Sequence, residues 1–136
     1  MKALFVDTAG WVMLVDAADA GHEAARAYRD RWFDGGGLLV STDYVMDETL
    51  TLLRSRLGLG VAERWWEQTE ASPRLRWEWI DPERAERARH WFFRWQDKDF
   101  SYTDCTSFVV MKERRIRAAL TRDRHFVQAG FQTYPR

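Results

Sequence analysis

Short apolar or alternating runs, separated by longer stretches of helical periodicity, divide the chain into strand and helix in turn. Residues 3–6 form an apolar run that stops at Asp7 and Thr8, which predicts a buried strand delivering an acid at its carboxyl end. Thr8 is expected to cap a short helix carrying Trp11, Val12, Leu14 and Val15. After Asp19, Ala20 and Gly21 a second helix follows, with Ala24, Ala27, Tyr28 and Trp32 as its apolar face, and the triplet Gly35, Gly36, Gly37 ends it. Residues 38–41 are the next apolar strand. Thr42 and Asp43 then open a helix reaching Leu57, with Val45, Leu52, Leu53 and Leu57 on its buried side.

Leu59 and Gly60 are expected to break that helix before another over residues 61–72, which Pro73 closes. Residues 75–80 alternate with period two, as a strand with one wet face does at a sheet edge. Asp81, Pro82 and Glu83 start a helix running to about Gln96 and burying Ala85, Ala88, Phe92 and Trp95. Past the loop at 97–100, Cys105, Phe108, Val109 and Lys112 stand at i, i+3, i+4 and i+7 of a largely buried helix. Residues 115–121 read as a strand followed by Asp123, and after a turn through His125, Phe126 and Val127 residues 131–134 form a last edge strand. Alternation of this kind implies crossovers, hence a mainly parallel sheet with helices on both faces, an α/β fold. Ligands of such sheets gather beyond the carboxyl ends of the strands.

Four acids fall near that rim: Asp7 and Asp123 after strands, Glu48 and Asp104 near the starts of helices. Glu48 lies one turn from Leu52, close to the buried side, whereas its neighbour Asp47 points about 100° away, toward water. Each acid also has a plain structural explanation. Ser101 and Asp104 have capping-box spacing, Asp7 could cap a helix, Glu48 could pair with an arginine, and Asp123 could start the turn at Arg124. Taken together they suggest more. Carboxylates within about 4 to 6 Å of one another repel unless a cation neutralises them, and hard oxygen ligands select Mg²⁺ or Mn²⁺ rather than zinc. Such ions activate water and stabilise a leaving oxygen, so hydrolysis of a nucleic-acid backbone is the chemistry implied.

Composition narrows the alternatives. The 136 residues suffice for one domain, and 46% hydrophobic content with 8 Trp, 8 Phe and 4 Tyr excludes a disordered chain. Lys+Arg 21 against Asp+Glu 21 leaves no net field to attract nucleic acid, so any phosphate-binding patch must be local. One cysteine, Cys105, rules out an internal disulfide, and 3 His give no zinc cluster. No apolar run is long enough to span a bilayer and the start is charged too early for a signal peptide, so a cytoplasmic protein is expected. The tryptophans are read mainly as packing, with some available to a groove or dimer face. His22 and His90 are read as surface or rim residues and Cys105 as a small core residue. A phosphatase of the haloacid dehalogenase kind would need a second Asp two residues after Asp7, where Ala9 stands.

The successive segments around Asp7-Thr8, Asp47-Glu48, residues 99–105 and residues 120–126 resemble the motifs of PIN-domain ribonucleases, especially VapC-type toxins, in the same order and over nearly the whole chain. That resemblance implies a three-layer PIN fold over residues 1–136 with a five-stranded parallel sheet. It further implies an Mg²⁺- or Mn²⁺-dependent endoribonuclease, the toxin of a toxin-antitoxin pair, with an antitoxin and a second copy of the chain as partners. By position, Asp7, Glu48, Asp104 and Asp123 match the family's metal-binding acids, and Thr8, Ser101 and Thr121 its supporting hydroxyls. Asp7 and Asp104 are expected to hold the principal ion. Arg122 departs from the family, whose members usually carry an apolar residue there. Lys98, Arg122, Arg124 and His125 are candidate contacts to RNA phosphates, and Asp97 and Asp99 more remote candidates for the metal. The alternatives are a non-catalytic RNA- or protein-binding domain of the same fold, and an RNA-processing nuclease outside any toxin-antitoxin pair.

Overall fold

The structure, a computed structural model, describes residues 2–136. Among these residues five strands make one sheet: β1 (Ala3–Val6), β2 (Leu38–Thr42), β3 (Leu75–Glu78), β4 (Ala118–Leu120) and β5 (Gln132–Tyr134). Their spatial order is β3-β2-β1-β4-β5, and every neighbouring pair is parallel. Parallel neighbours require crossovers, which seven helices supply. Helices α1 (Thr8–Val15) and α2 (His22–Asp34) join β1 to β2, and α3 (Asp43–Leu57) and α4 (Leu59–Ala71) join β2 to β3. Helices α5 (Pro82–Arg94) and α6 (Tyr102–Glu113) join β3 to β4, and α7 (Arg124–Gln128) joins β4 to β5. The result is a three-layer α/β fold, with β1, β2 and β4 as its apolar centre: Leu4, Phe5, Val6, Ala119 and Leu120 are fully buried. Among the described residues no helix is long and apolar enough to cross a membrane.

The chain leaves β1 toward β2 and β3 on one side and returns to β4 on the other, so the strand order reverses between β1 and β4. A crevice opens at such a point because the flanking crossovers diverge. Gly10 lets the first turn of α1 press against the end of β4: a Cβ there would collide with the Leu120 carbonyl oxygen. Helix α6 runs through the interior, with residues Cys105 to Met111 all buried.

Several local expectations are corrected. The break before α4 is Gly58, whose φ of 100° suits glycine, and Leu59 already belongs to the helix. Helix α2 buries His22 and Ala25 and half-buries Tyr28 and Trp32, leaving Ala24 and Ala27 exposed. His22 is therefore no surface residue; its Nδ1 lies 2.8 Å from the Met13 carbonyl oxygen. Leu57 is exposed, and of the expected α5 face only Ala88 is fully buried, with Phe92 and Trp95 about 40% exposed. Strand β4 begins late because Arg115, at φ 56°, turns the chain out of α6 first. Thr8 is the first residue of α1 rather than its cap, which is Asp7.

Candidate active site

The register between β1 and β4 pairs Val6 with Leu120, so the next residues of each strand, Asp7 and Thr121, emerge side by side at the crevice. The Thr121 hydroxyl donates to Asp7 Oδ2 at 2.8 Å and accepts from the Asp123 N–H at 2.9 Å. Asp7 Oδ1 accepts from the Gly10 N–H at 2.8 Å, capping α1. Opposite, the Ser101 hydroxyl accepts from the Asp104 N–H at 3.0 Å while Asp104 Oδ2 accepts from the Ser101 N–H at 3.1 Å, a complete capping box. Asp123 caps α7 by accepting from the His125 N–H at 2.9 Å. Three of the acids thus start helices and yet line one cavity of about 340 Å³, whose wall on α3 carries Val45, Glu48 and Leu52. Asp47, one residue away, lies outside that lining.

His125 ties two acids together. Its Nδ1 stands 2.9 Å from Asp104 Oδ2 and 3.2 Å from Asp123 Oδ1. An ionised carboxylate only accepts, so with both acids ionised the nitrogen between them must carry hydrogen. His125 then acts through Nδ1 as a shared donor that orients the pair.

Charge at the site is largely uncompensated. Burial, opposed by the Gly10 and Thr121 hydrogen bonds and reinforced by Asp123 and Asp104, pushes the Asp7 carboxyl up to about 7. Burial likewise raises Asp104, with the Ser101 bond and His125 opposing and Asp123 adding to the rise. Burial, with the Asp104 charge adding, pushes the Cys105 thiol up to about 12, which leaves it without thiolate character. Among the described residues no lysine or arginine pairs with Asp7, Glu48, Asp104 or Asp123. Asp104, Asp123 and His125 offer ligand atoms all within 4.8 Å of one another, so the group could hold a metal. The oxygen donors, the missing organic cation and the elevated Asp7 fit a hard divalent ion. Two further hydroxyls in the lining, Thr8 Oγ1 and Ser107 Oγ, are buried with no hydrogen-bond partner and can take water.

The remaining candidates lie apart. Ser101 holds Asp104 from outside the cavity, and Lys98 stands 3.5 Å from Asp97. Lys98, Arg124, Asp97 and Asp99 do not line the cavity; the loop carrying residues 97–99 stops short of it. Arg122 does line it, paired with Asp19. Sequence reasoning missed Ser107, Arg56 and Asp19, all in the lining. Helical spacing carried a signal for two of them, since Ser107 follows Asp104 by three residues and Arg56 follows Glu48 by eight. Asp19 sits in a loop between helices, where no periodicity points to it.

The PIN domain family model matches residues 4–132. The chain is 33% identical over 132 residues to the 23S rRNA-specific endonuclease VapC20 of Mycobacterium tuberculosis, covering 94% of this chain and 95% of that protein. The crystal structure of VapC20, described as a sarcin-ricin loop cleaving toxin, superposes with a TM-score of 0.84 at 32% identity, over 94% of this chain and 95% of VapC20. FitAcB from Neisseria gonorrhoeae shares the fold, with a TM-score of 0.70 at 16% identity over 97% of this chain and 96% of that one.

Proposed function

This chain belongs to the PIN domain family, and from that premise we propose that it is a divalent-cation-dependent endoribonuclease acting as the toxin of a toxin-antitoxin pair. One observation carries the reading: four acids from four separate segments line a single cavity at the point where strand order reverses, and among the described residues no lysine or arginine is paired to them. PIN nucleases are metal-dependent, and Mg²⁺ or Mn²⁺ is the ion that this donor set favours.

Asp7 and Asp104 would hold the principal ion, and Glu48 and Asp123 would support it or hold a second one. When bound, such an ion would make water a better nucleophile near neutral pH and would stabilise charge on the departing oxygen. Hydrolysis joins a water oxygen to phosphorus and frees the 3′ oxygen, leaving a 5′-phosphate and a 3′-hydroxyl. Thr121 fixes one Asp7 oxygen, and the Gly10 N–H fixes the other, so the carboxylate does not swing as substrate enters. His125 holds Asp104 and Asp123 in register. Thr8 and Ser107 offer free hydroxyls to water at the floor of the cavity.

The relative's name makes 23S ribosomal RNA the first substrate to try. The expected partners are an antitoxin protein and a second copy of this chain, for which Phe92 and Phe93 on α5 and Trp95 just beyond it provide exposed apolar surface. The test is cleavage of a 23S fragment carrying the sarcin-ricin loop, with Mg²⁺ or Mn²⁺, by the unsubstituted chain and by Asp104→Asn. Products with 5′-phosphates that vanish on chelation and on substitution are expected. Equal cleavage by both proteins, or none by either, refutes the reading.

A further inference from the structure

The cavity is lined by charges of both signs. Beside Asp7, Glu48, Asp104 and Asp123, the lining includes Arg56, Arg122 and Asp19. Arg56 lies eight residues beyond Glu48, about 12 Å along the α3 axis, with Leu52 between them on the same stripe. Among the described residues Arg56 has no hydrogen-bond or ion-pair partner; its charge acts on the Asp19 carboxyl. Arg122 comes from the turn after β4, and its Nη2 bonds Asp19 Oδ1, while half of its side chain stays open to solvent. That contact uses a single guanidinium nitrogen, so the other donors of the fork remain available.

Asp19 is itself held firmly. Its N–H donates to the Asp16 carbonyl at 3.0 Å, its carbonyl accepts from the His22 N–H at 3.1 Å, and Oδ1 accepts from the Gly21 N–H at 2.7 Å. Its side chain is 11% exposed, and the Arg122 bond holds the carboxyl below its ordinary range. A mostly buried, backbone-anchored acid gripping a solvent-exposed arginine from behind is an orienting device. An arginine whose only role was to neutralise Asp19 would not need to line the cavity, nor to have a second, unpaired arginine for company there.

We propose that Arg56 and Arg122 form a phosphate-binding subsite that takes a backbone phosphate of the RNA strand beside the one being cut, with Asp19 orienting Arg122. The proposal rests on the nuclease reading for its ligand. Guanidinium forks match phosphate oxygens bidentately, and the distance along α3 sets Arg56 apart from Glu48, so the subsite serves a neighbouring linkage rather than the scissile one. The acids repel an RNA strand until a cation is bound, and the arginines give the strand a point of attachment close by. Asp19 is a positioning residue; Arg56 and Arg122 contact the substrate.

The test measures binding of short fluorescent oligoribonucleotides to the full chain carrying Asp104→Asn, by anisotropy, across a salt series. Arg56→Gln and Arg122→Gln are each expected to weaken binding on the order of tenfold, the loss of one charge-assisted contact. The double substitution should flatten the salt dependence by about 0.7 in the log–log slope, one phosphate's share for a single strand. A neutral methylphosphonate moved through the strand should weaken binding at one linkage next to the cut, and that penalty should vanish in the doubly substituted chain. Asp19→Ala should weaken binding alone but add nothing to Arg122→Gln. Arg56→Lys, which keeps the charge but not the bidentate fork, should lose less affinity than Arg56→Gln without matching the unsubstituted residue. Unchanged affinity and slope in both arginine variants overturns the subsite, as does a methylphosphonate penalty that persists in the double variant. An Asp19→Ala effect that persists with Arg122→Gln overturns the orienting role. Binding is read without turnover, so failure to cleave RNA would remove the nuclease reading and leave this result standing, and the converse holds.

Discussion

Replacing Asp7 by Asn should stabilise the cation-free protein at alkaline pH while abolishing cleavage. The Asp7 carboxyl is raised from its ordinary 3.8 to about 7, chiefly by burial. A group whose folded value lies above its unfolded one favours folding fully below about 3.8, and that contribution is lost as pH rises through about 7. Moving a carboxyl's titration by one pH unit between the unfolded and folded chain corresponds to about 1.4 kcal/mol, so ionised Asp7 costs the cation-free fold up to about 4 kcal/mol near pH 8. Asn keeps the shape and one acceptor, but its amide cannot accept from both Gly10 and Thr121, which takes back about 1 kcal/mol. The net gain is therefore about 1 to 3 kcal/mol at pH 8, a rise in melting temperature of several degrees for a chain of this size. Thermal unfolding in chelator at pH 5, 6.5 and 8 reads it directly. The gain should shrink toward pH 5, and adding Mg²⁺ or Mn²⁺ should stabilise the unsubstituted chain more than the variant. A variant that is less stable than the unsubstituted chain at pH 8 in chelator would refute the claim that Asp7 is a buried, uncompensated charge.

Three other substitutions probe the surroundings of the site. Gly10→Ala drives a methyl group into the Leu120 carbonyl and should cost about 1 to 3 kcal/mol in denaturant unfolding; an unchanged midpoint would refute that close approach. His125→Ala leaves Asp104 and Asp123 without their shared donor and should raise the cation concentration needed for half-maximal cleavage by about 10- to 100-fold, read by metal titration; an unchanged requirement would deny His125 its orienting role. Glu78 is half-enclosed by Arg84 and Arg114, at 2.9 Å each; burial alone would raise its carboxyl, but the arginines hold it below its ordinary 4.5. Its contribution is present above pH 4.5 and fades as pH falls below it, so Glu78→Gln should destabilise by about 1 to 3 kcal/mol at pH 7 and by less at pH 3, as equilibrium unfolding would register.

The order of elements and the parallel sheet were legible because apolar runs and helical periods are local records of what each segment must bury. Boundaries were less legible where the backbone rather than the side chain decides. Gly58 and Arg115 end helices through positive φ, and nothing in the apolar pattern marks which residue will adopt it. Burial on α5 was misread for another reason. Phe92 and Trp95 have the right spacing for a buried face, but period reports only that a helix has an apolar side, and what covers that side is settled by its neighbours. The convergence of Asp7, Glu48, Asp104 and Asp123 on one rim was legible from strand ends and helix starts. The tie between Asp19 and Arg122 was not, since the two sit in different loops 103 positions apart.

The capping and the metal-binding readings of these acids describe one arrangement. A cap needs one carboxylate oxygen, and in each case the helix start takes a defined one: Asp104 Oδ2 meets Ser101 and His125, and Asp123 Oδ1 meets His125. Asp104 Oδ1 and Asp123 Oδ2 have no hydrogen-bond partner among the described residues, so a second oxygen of each remains for the cavity. Asp7 lends one oxygen to α1 and the other to Thr121, and a carboxylate oxygen can accept more than once. Helix N-termini favour anions, which would lower these carboxyls on an open surface. At Asp7 and Asp104 burial outweighs that help. The fold thus aims its carboxylates by capping and withholds the solvent that would stabilise their charge, and a divalent ion would complete both.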